Sequence, residues 1–119
     1  MDERVNGGYL PNLTDEEKAA LLQLKEGLTS RFGRRLAKFV LYGSKARGDY
    51  GPESDLDVAI IIHALTGEEK KKIFNAIAEI ELEHLTPLST LVLDEEEFDR
   101  LRGRERRIAL DIETEGIPL

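Results

Sequence analysis

The sequence predicts an α/β (α+β) fold in which helices cover a small mixed β-sheet. Apolar residues recur at helical spacing in two long segments, and three short apolar or β-branched runs are typical of strands. Capping residues, glycines and prolines separate these segments. At 119 residues the chain has room for one hydrophobic core, so we expect a single domain.

The first helix is expected to follow a flexible N-terminal arm. Residues 1–13 are rich in glycine, asparagine and proline, which favour turns, and we expect the globular domain over residues 14–119. Thr14 and Glu17 have the spacing of a capping box. The apolar residues that follow at helical spacing are Leu21, Leu24, Leu28 and Phe32. They predict a helix over about residues 15–31, ended by Gly33.

Three segments have the composition of β-strands. Residues 36–42 are mostly apolar, residues 56–62 are β-branched after an acidic start, and residues 88–93 follow a proline. A helix over about residues 67–84, with a capping box at Thr66, connects the second strand to the third. Because such a crossover normally joins parallel strands, we expect these two strands to be parallel.

Two short helices complete the predicted order. Asp94 is placed to cap a helix that carries Phe98 and Leu101, and after Gly103 a last helix runs to about Glu115. The predicted sheet therefore has three strands. The first and second strands are expected to be antiparallel, because the chemistry described below requires the end of one beside the start of the other.

The composition excludes several classes of protein. The 24 acidic and 17 basic residues give a net charge of −7, which argues against a general nucleic-acid-binding protein. The absence of cysteine excludes disulfides, thiolate nucleophiles and thiolate zinc sites. No stretch approaches the roughly 20 apolar residues of a membrane helix, and the first residues lack the layout of a signal peptide. We therefore expect a cytoplasmic protein.

Residues 43–58 carry the candidate chemistry. Gly43 directly follows a strand and lets the backbone approach a ligand closely, because it has no side chain. Ser44 adds a hydroxyl, and the neighbouring amides can point at phosphate oxygens. Lys45 and Arg47 supply the cations that a triphosphate would need.

Two carboxylates follow at the start of the second strand. The side chains of Asp55 and Asp57 project to the same face, roughly 6.5–7 Å apart along the strand. This spacing suits Mg²⁺, which is usually held by one or two carboxylates together with substrate phosphates. Taken separately, Gly43-Ser44 and Asp55 have a simpler interpretation as a turn and a loop aspartate. Asp57, however, precedes a run of apolar residues, where a carboxylate needs a compensating partner.

These residues resemble the signature of the minimal nucleotidyltransferases in the DNA polymerase β superfamily. Gly43-Ser44 is followed by ten residues and then by Asp55-Leu56-Asp57. The agreement extends to the flanking residues Tyr42, Ala46, Arg47, Gly48, Ser54 and Val58. The resemblance implies a palm-like fold in which Ser44 and the adjacent backbone hold a nucleoside triphosphate, ATP above all, while the two aspartates coordinate Mg²⁺. It also implies transfer of a nucleotidyl group, AMP, to an acceptor hydroxyl with loss of pyrophosphate.

The resemblance further implies a protein partner. Small proteins of this family are often paired with a helical toxin of the HEPN type, which the transferase modifies and silences, so an antitoxin role is expected. A homo-oligomer is the other expectation for the partner.

One departure from the family pattern leaves a second hypothesis open. Active members place a third acid on the next strand, and the matching position here is Ser89 or Thr90. Asp94 lies roughly 13 Å further along the strand and is interpreted as a helix cap. The alternative function is therefore a catalytically degenerate binding module that inhibits its partner by contact.

The remaining polar features have simpler interpretations. His63 and His84 lack companion ligands and are interpreted as helix-terminal or surface residues. The basic cluster at residues 102–107 could bind RNA or an acidic partner, or could be a solvated helix start. Tyr42 could stack on a nucleotide base or pack in the core.

Overall fold

The computed structural model describes residues 13–43 and 56–119, together with the backbone of two short strands near the N-terminus. These strands, β1 (Arg4–Val5) and β2 (Gly8–Tyr9), pair with each other in antiparallel fashion. The assignment of residues 1–13 to a flexible arm stays a prediction. Four of the predicted site residues lie outside the described part of the chain: Ser44, Lys45, Arg47 and Asp55.

A mixed sheet of four strands forms the centre of the domain. Its strands are β3 (Leu36–Tyr42), β4 (Leu56–Ile62), β5 (Leu88–Asp94) and β6 (Ile117–Pro118), in the order β5-β4-β3-β6. The antiparallel pairing of β3 with β4 and the parallel pairing of β4 with β5 are both confirmed. The prediction of three strands is wrong, because β6 pairs with the outer edge of β3.

Four helices are described, and their starts follow the capping signals in the sequence. They are α1 (Asp15–Phe32), α2 (Gly67–His84), α3 (Glu95–Gly103) and α4 (Arg107–Glu115), with a 3-10 turn at Gly33–Arg35. Capping boxes are formed at Thr14, Thr66 and Asp94, so the predicted role of each as a helix cap is confirmed. None of the helices in the described ranges is long and apolar enough to cross a membrane.

The sheet has a helical layer on each face. On one face α1 and α2 pack against alternate residues of β4, which are Leu56, Val58, Ile60 and Ile62. On the other face Phe98 of α3 and Ile112 of α4 pack against the intervening residues Ala59 and Ile61. Because both faces of β4 are buried, its sequence is a continuous apolar run instead of an alternating one.

The two ends of the sheet differ in the acid that they carry. At one end, called here the Asp57 end, Tyr42 at the end of β3 pairs with Asp57 at the start of β4. At the other end, called the Asp94 end, Ile62 closes β4 and pairs with Asp94 at the end of β5. The predicted site residues within the described ranges belong to the Asp57 end.

Candidate functional site

Gly43 follows β3 and packs directly against the side chain of Asp57. Its φ of +75° lies in the left-handed region, which favours glycine. A Cβ at this position would overlap Oδ2 of Asp57 and would lie 3.1 Å from its Cγ. Glycine is therefore required here both for the backbone conformation and for the space. The turn brings its backbone against the carboxylate with no side chain between them.

Asp57 lies between two hydroxyl-bearing residues on the neighbouring strands. Its partner in register is Tyr42 on β3 and Ser89 on β5. Residues in register on adjacent strands lie about 4.8 Å apart in the pairing direction and point to the same face. This face is the one covered by α3 and α4, because Ala59 and Ile61, which have the same parity as Asp57, pack there. We call Tyr42, Asp57 and Ser89 the Asp57 row.

The phenol of Tyr42 is kept in its protonated form. Burial raises the pKa of Tyr42 above its ordinary value, and the negative charge of Asp57 raises it further. Its ring packs partly buried against the core beneath α3 and α4, which agrees with the interpretation of Tyr42 as a core residue. At neutral pH the phenol is therefore a neutral hydrogen-bond donor beside the Asp57 carboxylate.

The register of β5 selects one of the two positions proposed for a third acid. Ser89 pairs with Asp57 and is exposed, whereas Thr90 pairs with Val58, whose side chain is buried on the opposite face. An acid facing Asp57 would therefore have to stand at Ser89. In this chain the position carries a hydroxyl, which is not a base at neutral pH.

Asp94 is a structural acid. Its Oδ1 accepts a hydrogen bond of 2.8 Å from the Leu65 amide, and its Oδ2 accepts one of 3.0 Å from the Glu96 amide. These backbone hydrogen bonds lower the pKa of Asp94 below its ordinary value. Its position at the end of the sheet remote from Asp57 agrees with its interpretation as a helix cap.

The two histidines make separate contacts with acidic or amide side chains. Nδ1 of His63 lies 3.0 Å from Oε1 of Glu95. In His84, Nδ1 lies 2.8 Å from Oε2 of Glu16 and Nε2 lies 2.7 Å from Oε1 of Gln23, so this ring links α2 to α1. Within residues 13–43 and 56–119, no group of three or more His, Cys, Asp or Glu side chains could hold a metal ion.

The basic cluster at residues 102–107 is exposed and partly neutralised by acids of its own helices. Arg102 donates to Asp99 at 3.0 Å and to Glu113 at 3.4 Å. Arg107 lies 3.6 Å from Asp111, one turn further along α4. These contacts agree with the interpretation of the cluster as a solvated helix start.

Asp57 and Gly43 have the chemistry that a site for a divalent cation and a phosphate group needs. The Asp57 carboxylate supplies a hard oxygen ligand, and Gly43 leaves beside it a backbone surface that any Cβ would fill. Magnesium needs only one or two protein carboxylates when substrate phosphates complete its coordination, so Asp57 and the predicted Asp55 would be sufficient.

Comparison with known proteins identifies the family. The family model described as "Nucleotidyltransferase domain" matches residues 21–112, which cover most of the chain from α1 to α4. The chain therefore belongs to the nucleotidyltransferase domain family, as the resemblance of its motif indicated.

Two proteins of Methanocaldococcus jannaschii, both named "putative protein adenylyltransferase", are similar to this chain. The first is 42% identical over 45 residues, which make up 38% of this chain and 45% of that protein. The second is 32% identical over 71 residues, or 59% of this chain and 72% of that protein. The match thus spans less than half the length of the first relative.

A crystal structure described as a "putative nucleotidyltransferase from Sulfolobus solfataricus" has 20% sequence identity and a TM-score of 0.44. The match covers 91% of this chain and 89% of that chain.

Proposed function

We propose that this chain binds an Mg²⁺–nucleoside triphosphate, ATP in the first instance, and transfers the nucleotidyl group to a hydroxyl of a partner protein with release of pyrophosphate. The observation that carries the proposal is the packing of Gly43, with its positive φ, against the carboxylate of Asp57. Membership of the nucleotidyltransferase family and the names of the two archaeal relatives support the class of reaction.

The turn after β3 is the proposed phosphate-binding segment. Backbone amides next to Gly43 and the hydroxyl of Ser44 would donate hydrogen bonds to phosphate oxygens. Lys45 and Arg47 would neutralise the remaining charge of the triphosphate. Asp55 and Asp57 would hold Mg²⁺, which when bound neutralises the charge that develops on the phosphates.

The three side chains of the Asp57 row are the described groups that would act in nucleotidyl transfer. Asp57 is fixed by β4, which pairs with a strand on each side, so its carboxylate is held on a rigid element. The neutral phenol of Tyr42 can donate a hydrogen bond but cannot accept the proton of the acceptor hydroxyl. Ser89 also lacks a basic group. Because Asp57 is assigned to Mg²⁺, the proton of the acceptor hydroxyl would have to pass to solvent or to a group outside this row.

The proposal is tested by labelling. The chain is incubated with ATP labelled on the α-phosphate, Mg²⁺ and the protein encoded by the adjacent gene, for which we propose a helical toxin of the HEPN type. We expect the partner to become labelled and its toxicity to be lost. Asp57→Asn should reduce labelling at least about 100-fold, because charge stabilisation at the reacting phosphate is lost. Asp99→Asn, an acid-to-amide change on α3, should leave labelling unchanged. Absence of labelling with any nucleotide would contradict the proposal.

The second candidate function is a binding module that inhibits its partner by contact without catalysis. Ser89, in place of an acid beside Asp57, is the observation that favours it. In that case Asp57→Asn would leave inhibition intact. Ser89→Asp further distinguishes a transferase from a non-catalytic binding module. The rate of nucleotidyl transfer should rise by about 100-fold or more if the site lacks only an acid–base group. Thr90→Asp, on the opposite face of the sheet, should give no such gain.

A further inference from the structure

Ser89 carries an exposed hydroxyl in the Asp57 row. It lies in register with Asp57 and has the same parity along β5 as Leu91 and Leu93, which pack beneath α3 and α4. Those two leucines are partly buried by the helices, whereas Ser89 is exposed. The helical layer therefore ends before Ser89, and its hydroxyl is open to solvent and to a ligand bound at Asp57.

The hydroxyl of Ser89 has no role in holding the fold. Among residues 13–43 and 56–119 it has no hydrogen-bond partner. By contrast, the hydroxyls of Thr86 and Thr114 donate to main-chain carbonyls, and those of Thr14 and Thr66 accept from amides at helix starts. The oxygen of Ser89 thus keeps its lone pairs available for reaction.

The neighbouring hydroxyls are less suited to act as nucleophiles at Asp57. Tyr42 is partly buried against the core, and its phenol stays protonated because burial and the charge of Asp57 raise its pKa. Thr90 is in register with Val58, whose side chain lies on the opposite face of the sheet. Within the described ranges, Ser89 is therefore the exposed hydroxyl on the face of Asp57.

We propose that Ser89 is a self-modification site, to which the chain transfers the nucleotidyl group of its own bound triphosphate. This inference rests on the proposed function, because it requires a nucleotide held against Asp57. Residues in register on adjacent strands are about 4.8 Å apart, so Ser89 is next to any group held there. A hydroxyl fixed beside the reacting phosphate has a large advantage over one that must arrive from solution.

The transfer balances without a further reactant. Oγ of Ser89 forms a bond to the α-phosphorus, and the bond from that phosphorus to the oxygen that bridges it to the β-phosphate breaks. Pyrophosphate leaves with the electron pair of the broken bond. The hydroxyl proton passes to water, which reaches Ser89 because the residue is exposed. The product is a phosphodiester that joins one nucleotidyl group to β5.

The attached nucleotide blocks the site that made it. It stays beside Asp57, so a second triphosphate cannot bind there. Self-modification therefore switches the chain off when no acceptor protein is present. Because Ser89 and Asp57 lie on adjacent strands of one sheet, the reaction takes place within one chain, and its rate per chain is independent of protein concentration.

Mass spectrometry of the chain alone tests the site. The chain is incubated with ATP and Mg²⁺ without a partner, and the intact mass and the modified peptide are then determined. We expect one adenylyl group, on Ser89, formed at the same rate at low and high protein concentration. Ser89→Ala should abolish the adduct, and Thr90→Ala, which removes a hydroxyl on the opposite face, should leave it. Ser89→Thr keeps a hydroxyl and should retain part of the modification.

Binding of an inert nucleotide gives a second readout. The α,β-methylene analogue of ATP cannot transfer its nucleotidyl group, because carbon replaces the bridging oxygen. With Mg²⁺ it should raise the melting temperature of the unmodified chain but not of a chain first incubated with ATP. Ser89→Ala should respond equally before and after that incubation.

The outcomes separate this inference from the proposed function. A labelled partner together with an unmodified chain would overturn the inference and leave the proposed function standing. Modification of a residue other than Ser89, or an adduct that persists in Ser89→Ala, would also overturn it. A rate that rises with protein concentration would contradict transfer within one chain. Absence of transfer to either protein would contradict both proposals.

Discussion

Each end of the sheet carries a half-buried aspartate, and the groups that surround the two carboxylates differ. At the Asp94 end, Asp94 accepts hydrogen bonds from two backbone amides and begins α3. Arg35 donates two hydrogen bonds to Glu69 near the same end, at 2.9 and 2.7 Å. At the Asp57 end, Asp57 lies in register with two hydroxyl-bearing residues and against Gly43.

We interpret this difference as one between an acid that holds the fold and the acid proposed to bind the metal. The amides that bind Asp94 are fixed by a helix start and a loop, so its carboxylate fastens α3 and the residues after β4 together. Asp57 is placed instead directly against the backbone of Gly43, whose positive φ and lack of a Cβ permit this close approach. A glycine of this kind is typical of a position where the backbone must approach a ligand or another group closely.

The largest expected effect follows from adding a methyl group at the Asp57 end. Gly43→Ala should abolish nucleotide binding, because the new Cβ overlaps the Asp57 carboxylate and the positive φ becomes strained. We expect it to lower the free energy of unfolding by about 1–2 kcal/mol or more. Denaturant unfolding with and without Mg²⁺–ATP measures both effects. Gly27→Ala in α1, where a Cβ meets no atom within 4 Å, should stabilise the fold by about 0.4–1 kcal/mol and leave binding unchanged.

A substitution of Asp94 should lower the stability of the fold and leave nucleotide binding unchanged, in contrast to Gly43→Ala. Asp94→Ala removes the acceptor for two backbone amides and should lower the melting temperature without weakening nucleotide binding. Asp94→Asn keeps one acceptor oxygen, which can still cap the helix, and loses the second, so it should be milder than Asp94→Ala. A loss of binding in Asp94→Ala that exceeds its loss of stability would contradict the division between the two ends.

The ion pair of Arg35 with Glu69 should make stability depend on acid pH. The hydrogen bond from Arg35 lowers the pKa of Glu69 from 4.5 to about 2. Because the folded pKa is depressed, the contribution is fully present above about pH 4.5 and is lost as the pH falls toward 2. Glu69→Gln keeps the capping-box geometry and should flatten the stability profile in this window. Unfolding curves at several pH values test this, and an unchanged slope would exclude the ion pair as its source.

The smallest effect is expected from the phenol of the Asp57 row. The folded state raises the pKa of Tyr42 above its ordinary value of 10.0, so ionisation opposes folding. The free energy of unfolding should therefore fall as the pH rises through 10. Tyr42→Phe should remove the contribution that ionisation of Tyr42 makes to this decrease. Urea unfolding between pH 9 and pH 11 measures it. Tyr42→Phe should change labelling of the partner only slightly, since the phenol acts as a neutral donor.

Much of the fold could be predicted because its signals are local. The capping boxes at Thr14 and Thr66 mark the starts of α1 and α2. The apolar, β-branched run of β4 is typical of a strand that is buried on both faces. β6 was missed because a strand of two residues has no periodicity. It exists only because the chain after Gly116 returns to the edge of β3, which no local pattern shows.

The site could be predicted only in part, because its geometry depends on strand register. The motif pointed to Gly43 and Asp57, and the structure brings them together. Whether Ser89 or Thr90 lies beside Asp57 depends on the register of β5 against β4, which the sequence does not show. A shift of β5 by one residue against β4 would place Thr90 beside Asp57 and move Ser89 to the opposite face of the sheet. The roles of Gly43 and Asp57 in nucleotide binding and catalysis stay predictions, as do those of Ser44, Lys45, Arg47 and Asp55.

The central claim is that Asp57 belongs to a metal–nucleotide site and Asp94 to the framework. The most direct measurement is the melting temperature during titration with ATP, in the presence and absence of Mg²⁺. The wild-type chain and Asp94→Asn should both be stabilised only when Mg²⁺ is present, by about 2.7 kcal/mol when the ligand reaches 100 times its Kd. Asp57→Asn should show no such stabilisation. Equal stabilisation of Asp57→Asn and the wild-type chain would contradict the account.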